Sequence, residues 1–202
     1  MTGQIAIVGM GCRLPGAPDL TEFWRVVQSG AAQARDVPGS RWDHGAFYDQ
    51  NPRRPDHTYA RVLASVEEIE EFSPEHFGIL PRRARFMDPQ QRLMLDVART
   101  AIEDAGLAPA GLPRQTGVYV GISVSEYYQL TTARLLAAQM QGGRLGRVPD
   151  GMEPAWEFLT ENVPPLQAHS MVGQMLNMAA ANVAQAFDLR GPALATDSAC
   201  SS

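Results

Sequence analysis

Apolar and polar positions along this chain switch repeatedly between two periods. "QIAIVG" at 4–9 is a short run of isoleucine and valine closed by glycine, and it predicts a buried strand. "DLTEFWRVVQSG" at 19–30 moves to helical spacing, with Leu20, Phe23, Trp24 and Val27 on one face. Asp19 and Glu22 give it a capping-box start and Gly30 a stop. Residues 35–58 carry Pro38, Pro52, Pro55, Gly39 and Gly45 among aspartates and arginines, the composition of a long irregular loop. "TYARVLAS" at 58–65 predicts a strand. "SPEHFG" at 73–78 predicts one helical turn, with Ser73 as cap and Pro74 in the first position.

The clearest element is "MDPQQRLMLDVARTAIEDAG" at 87–106. Asp88 is its N-cap, Pro89 its first helical residue, Gln91 completes the cap pattern, and Gly106 ends it. Leu93, Met94, Val97, Ala98, Ala101, Ile102 and Ala105 form its apolar stripe. "TGVYVGIS" at 116–123 is a second buried strand, and 141–165 reads as a second long loop. Residues 170–189 predict a helix with Met171, Met175, Ala179, Val183 and Phe187 on one side. Gly191 and Pro192 break it before a strand at 193–197. Strands alternating with helices predict an α/β domain over 1–202, a mostly parallel sheet with flanking helices.

Composition narrows the function classes. The apolar fraction of 45% and charged fraction of 19% are those of a globular chain. A net charge of -5 argues against nucleic-acid binding. No apolar run approaches the roughly 18 residues of a membrane span, and the N-terminus lacks the basic region of a signal peptide. Cys12 and Cys200 form neither a disulfide framework nor a metal-ligand spacing. A reducing, cytoplasmic setting is expected. "IVGMG" fails as a dinucleotide fingerprint, because Leu14 stands where the third glycine belongs.

Candidate chemistry gathers at the last strand. In open α/β sheets the reacting groups lie beyond the carboxyl ends of the strands. Cys200 sits there, where a following helix would lower its thiol pKa and its own N–H would face a developing oxyanion. The alternative for a cysteine in an Ala/Ser-rich segment is a small buried hydrophobe. Cys12 is expected to be structural. His44, His57 and His76 are expected on the solvated surface, and His169 is the one candidate base for a hydrolase reading. Arg82, Arg83 and Arg85 read as a solvated cluster, and Met171, Met175 and Met178 as core filling.

"IAIVGMGCRLPG", "MDPQQRLMLDVARTAIEDAG", "TGVYVGIS", "FDLRGP" and "GPALATDSACSS", in this order, resemble the β-ketoacyl synthase domains of modular type I polyketide synthases. The resemblance implies a thiolase-like fold, of which the chain carries the N-terminal half, truncated at the nucleophile. It places the family's catalytic cysteine, in a D-[TS]-A-C-S-S segment, at Cys200. It implies acyl transfer to that cysteine from the phosphopantetheine of an acyl carrier protein, with no cofactor bound directly. Decarboxylative condensation with a malonyl-type thioester follows, in polyketide or fatty-acid biosynthesis. It further implies a homodimer through strand 193–197. Family members continue about as far again, into two histidines and a lysine of the active site. The chain alone is therefore expected to be inactive in condensation, the alternative being an interaction half-domain that pairs with a separate second half. Ser198 in place of the commoner threonine and "FGILPRRA" at 77–84 depart from the usual pattern.

Overall fold

A computed structural model describes residues 3–108, 111–144, 151, 153–167 and 170–202. The elements in order are α1 (Leu20–Ser29), β1 (Arg35–Asp36), a 3-10 turn at His44–Ala46, β2 (Val62–Leu63), a 3-10 turn at Pro74–Phe77, α2 (Pro81–Ala84) and α3 (Pro89–Asp104). Then come β3 (Val118–Gly121), α4 (Tyr127–Gln141), α5 (Glu153–Asn162), α6 (Ser170–Gln174), α7 (Met178–Ala186), β4 (Ala193–Thr196) and a closing 3-10 turn at Ala199–Ser201. The class is α/β, with small sheets. β1 and β2 pair antiparallel, and β3 and β4 pair parallel in the register Val118↔Ala193 to Gly121↔Thr196.

The core lies between α3, α7 and the parallel pair. Phe77, Ile79, Ala84, Met87, Leu95, Val183 and Phe187 form one buried cluster, and Val120, Ile122, Ala179 and Ala180 a second. Met94 and Val118 touch both clusters and join them. Phe77 stacks on Phe72 at 5.5 Å between centroids and meets the edge of Phe187 at 6.2 Å. Ala179 and Ala180 let α7 approach the strands closely, because neither side chain holds the helix away.

Several expectations need correction, each for a local reason. Residues 4–9 join no sheet among the described residues, and Ile5 is 97% exposed, because no second strand offers them a ladder. Its last residue, Gly9, and the chain just beyond are fastened to α3 instead. A Cβ on Gly9 would lie 2.2 Å from the Ala101 carbonyl oxygen, and Met10 N–H donates to Asp104 Oδ2 at 2.9 Å. Helix α1 has the expected ends: Asp19 Oδ1 accepts from Glu22 N–H and Gly30 is left-handed at φ 63. Its apolar face is nonetheless open, with Trp24 59% exposed. The strand expected at 58–65 shrinks to Val62–Leu63, and Ser73 makes no side-chain cap.

Between 123 and 165 the structure contains two helices that the pattern did not show. α4 and α5 pack on each other, fastened by Arg134, whose guanidinium donates to the carbonyls of Leu159, Thr160 and Val163 at 2.6–3.0 Å. They lie at the carboxyl end of α5, where the last carbonyls run out of helical N–H partners; the Leu159 carbonyl also accepts from Val163 N–H at 3.1 Å. The helix expected over 170–189 is two, α6 and α7, separated by 175–177. That break rotates Met171 and Met175 out to solvent, while Ala179, Val183 and Phe187 stay inside.

Gly173 marks the closest approach of α6 to the start of α3. A Cβ there would lie 2.3 Å from the Phe86 carbonyl oxygen, and the Gly173 carbonyl accepts from Asp88 N–H at 2.8 Å. Gly173→Ala should therefore lower stability by about 1–3 kcal/mol in urea unfolding, although alanine is the better helix former by about 1 kcal/mol. A variant as stable as the parent would show that α6 moves freely against α3.

Candidate functional site

The parallel pair ends where two loops leave it. Ile122 N–H donates to Thr196 O at 3.0 Å, so the ladder runs one step past β3 before 122–126 departs. β4 runs into Asp197-Ser198-Ala199-Cys200-Ser201-Ser202, and the chain turns at once. Asp197 Oδ1 accepts from Ala199 N–H at 3.1 Å, and Ser202 Oγ from Ser198 N–H at 2.6 Å. Ser201 and Ser202 donate their N–H groups to the carbonyls of Ser198 and Ala199. Ala199 is held at φ 52, the left-handed region that an L-residue enters at a cost of about 1–2 kcal/mol.

That strained step lifts Cys200 onto the outside of the turn. Its thiol is free and exposed, and its amide has no acceptor among the described residues. The turn after β4 is a three-residue 3-10 segment, Ala199–Ser201. Gly121 makes room for the turn: a Cβ there would stand 2.3 Å from the Ser202 carbonyl carbon. Cys12 is the opposite case. It is half-buried, and burial, reinforced by the Asp19 carboxylate, pushes its thiol pKa up.

Beneath this edge lies a buried polar junction that the sequence did not announce. Gln91, expected to close the α3 cap, is wholly buried instead. Its Nε2 donates to Met175 O at 2.8 Å, and its Oε1 accepts from Asn182 Nδ2 at 2.9 Å. Arg83 completes the chain by donating to Asn182 Oδ1 at 2.8 Å, so it is turned inward rather than solvated; Arg82 and Arg85 are exposed. Asp88, also buried, caps α3 through Gln90 N–H at 2.7 Å and accepts the hydroxyl of Ser125 on its second oxygen. Ser125 in turn accepts from Tyr127 N–H at the start of α4, at 3.2 Å.

The remaining candidates lie elsewhere. His44 bonds Ala60 O and His57 bonds Pro55 O, both within the 42–61 loop, and His76 lies on the 3-10 turn before α2. His169 lies outside the described residues. Among the described residues, no three His, Cys, Asp or Glu side chains are grouped to hold a metal. A cleft of about 300 Å³ is lined by Arg13, His76, Asp96 and Arg99; burial raises the Asp96 carboxyl against the attraction of Arg99, Arg13 and His76. A smaller cavity of about 60 Å³ lies between Phe86, Tyr127, Thr131 and Gln174, where burial raises the Tyr127 phenol. Cys200 lines neither.

The family model for the β-ketoacyl synthase N-terminal domain matches residues 2–202. The chain belongs to the β-ketoacyl synthase family. It is 38% identical over 203 residues to the spectinabilin polyketide synthase system protein NorC of Streptomyces orinoci, covering 98% of this chain and 8% of that protein. It is 32% identical over 209 residues to the polyketide synthase PksL of Bacillus subtilis, covering 100% of this chain and 4% of that one. Among solved structures, the ketosynthase from module 6 of the bacillaene synthase of Bacillus subtilis 168 superposes with a TM-score of 0.70 at 30% identity. That match covers 98% of this chain and 27% of the other. The oxazolomycin ketosynthase domain OzmH KS7 of Streptomyces albus JA3453 gives the same TM-score and identity, over 95% and 28%. The fold is thus that of a ketosynthase N-terminal segment of the polyketide synthase type, and it spans only a small part of these relatives' length. No helix among the described residues is long and apolar enough to cross a membrane.

The two thiols give a direct check on this geometry. With iodoacetamide at pH 8, peptide mapping should find Cys200 alkylated first. Cys12 should lag and catch up only as pH rises, since a raised pKa leaves less thiolate near neutrality. Equal rates at pH 8 would contradict the difference in burial.

Proposed function

We propose that Cys200 is the acyl-accepting nucleophile of a polyketide-type β-ketoacyl synthase. The observation that carries this reading is an exposed thiol on the turn at the carboxyl end of β4, within the D-S-A-C-S-S segment of a family member. The thiolate attacks the carbonyl of an acyl thioester borne on the phosphopantetheine of an acyl carrier protein. The carrier thiolate leaves and takes up a proton, and the acyl group stays on sulfur. Sulfur suits the exchange, because attacking and leaving thiols are alike in basicity. In the condensing step a malonyl-type thioester loses carbon dioxide, its enolate attacks the acyl-cysteine carbonyl, and Cys200 is released as thiolate.

The chain alone is proposed to reach only the first step. It contains no lysine, and its described histidines sit in other segments. The working form is proposed as a cytoplasmic homodimer through 193–197, where β4 has one paired edge and, among the described residues, one open edge. A second reading, a half-domain that pairs with a separate second half, draws on the exposed Ile5, Ile7, Val8 and Trp24, since apolar surface on that scale marks an interface.

The test is intact-mass analysis after incubation with an acyl-N-acetylcysteamine thioester. One acyl group should add, map to Cys200 and vanish in Cys200→Ser, with no β-ketoacyl product when a malonyl thioester is supplied. Acylation confined to Cys12, or none at all, would overturn the nucleophile assignment.

A further inference from the structure

The loop that leaves β3 lies in register with the Cys200 turn. Gly121 pairs with Thr196, Ile122 N–H closes on Thr196 O, and the backbone of Ser202 packs over Gly121. Residues 122–126 and 197–202 are therefore the two loops at the carboxyl edge of one parallel pair, the place where open α/β sheets take ligands. Ser123 and Val124 of the first loop are exposed, whereas Ser125 is drawn inward.

What draws it in is the buried Asp88. Its Oδ1 is committed to the α3 cap, and its Oδ2 takes the Ser125 hydroxyl proton, while the same hydroxyl oxygen accepts from Tyr127 N–H. One carboxylate thus ties the starts of α3 and α4, with Ser125 as the joint and the β3 exit loop as the part held. Asp88 N–H is itself fixed to Gly173 O, so the anchor cannot drift with the loop.

Resting on the acyl-transfer reading of Cys200, we infer that Ser125 is a positioning residue: through Asp88 it holds loop 122–126 as the wall facing the Cys200 turn, against which the acyl thioester lies. Ser125 does not touch the reacting atoms. Its loss should impair the encounter of Cys200 with a thioester that must lie along this wall, and leave attack on a small alkylating reagent alone.

The experiment compares Ser125→Ala and Ser125→Thr with the parent, measuring acylation of Cys200 by an acyl-N-acetylcysteamine thioester and its alkylation by iodoacetamide. Ser125→Ala should lose several-fold in acylation, mainly through weaker saturation by the thioester, while alkylation stays within about two-fold. Ser125→Thr keeps the hydroxyl and should restore acylation, which separates a positioning role from general loss of fold. Parental acylation in Ser125→Ala, an equal fall in both reactions, or no rescue by Ser125→Thr would each overturn the inference while the nucleophile assignment stands. A parent that takes no acyl group at all would overturn that assignment and this inference with it.

Discussion

The buried polar side chains on the first turn of α3 are the constraint from which the rest of this structure follows. Burying a carboxylate and a primary amide is costly unless each finds partners, and leaving one unpaired costs about 1–3 kcal/mol. Asp88 and Gln91 find theirs only if three other segments arrive in fixed places. Met175 must offer its carbonyl, Asn182 its amide and Ser125 its hydroxyl, while Gly173 O takes the Asp88 backbone N–H. Satisfying two side chains therefore sets α6, α7 and the exit of β3 relative to one another. The apolar clusters around Leu95 and Val120 then fill the space between.

That arrangement governs the edge where Cys200 stands. α7 packs against both β3 and β4, so anchoring Asn182 on α7 also fixes the surface against which β4 lies. Beyond the strands, the Cys200 turn has supports of its own: the Asp197 carboxylate on Ala199 N–H, the Ser202 hydroxyl on Ser198 N–H, and the space left by Gly121. Order at the edge has two sources, a buried one below and a local one around the thiol.

How much of this was legible in the sequence varied with the range of the forces involved. Helix ends set by neighbouring residues were readable: Asp19, Gly30 and Asp88 do what their positions suggest. The strand before Cys200 was readable too, as β4, but the helix expected to follow it is a three-residue 3-10 turn. Partners far along the chain were not readable. Gln91 looked like a capping residue until Asn182 and Met175 were brought to it, and Arg83 looked solvated until Asn182 was seen to accept from it. Residues 4–9 carry strand-forming side chains, but a strand exists only with a ladder, and its neighbour is not written into its own sequence. α4 and α5 were missed because each gains from packing on the other, and the Gly- and Pro-rich composition of 141–165 reads as a loop although α5 lies within it.

The claim that this polar junction sets the architecture is tested most directly by a double-mutant cycle on Gln91 and Asn182 in urea unfolding. Gln91→Leu and Asn182→Leu each leave a buried amide group without its partner, so each should destabilise, and the double variant should recover about 1 kcal/mol or more relative to their sum. Effects that add to within about 0.5 kcal/mol would show that the two amides act independently, and that the helices are placed by apolar packing alone.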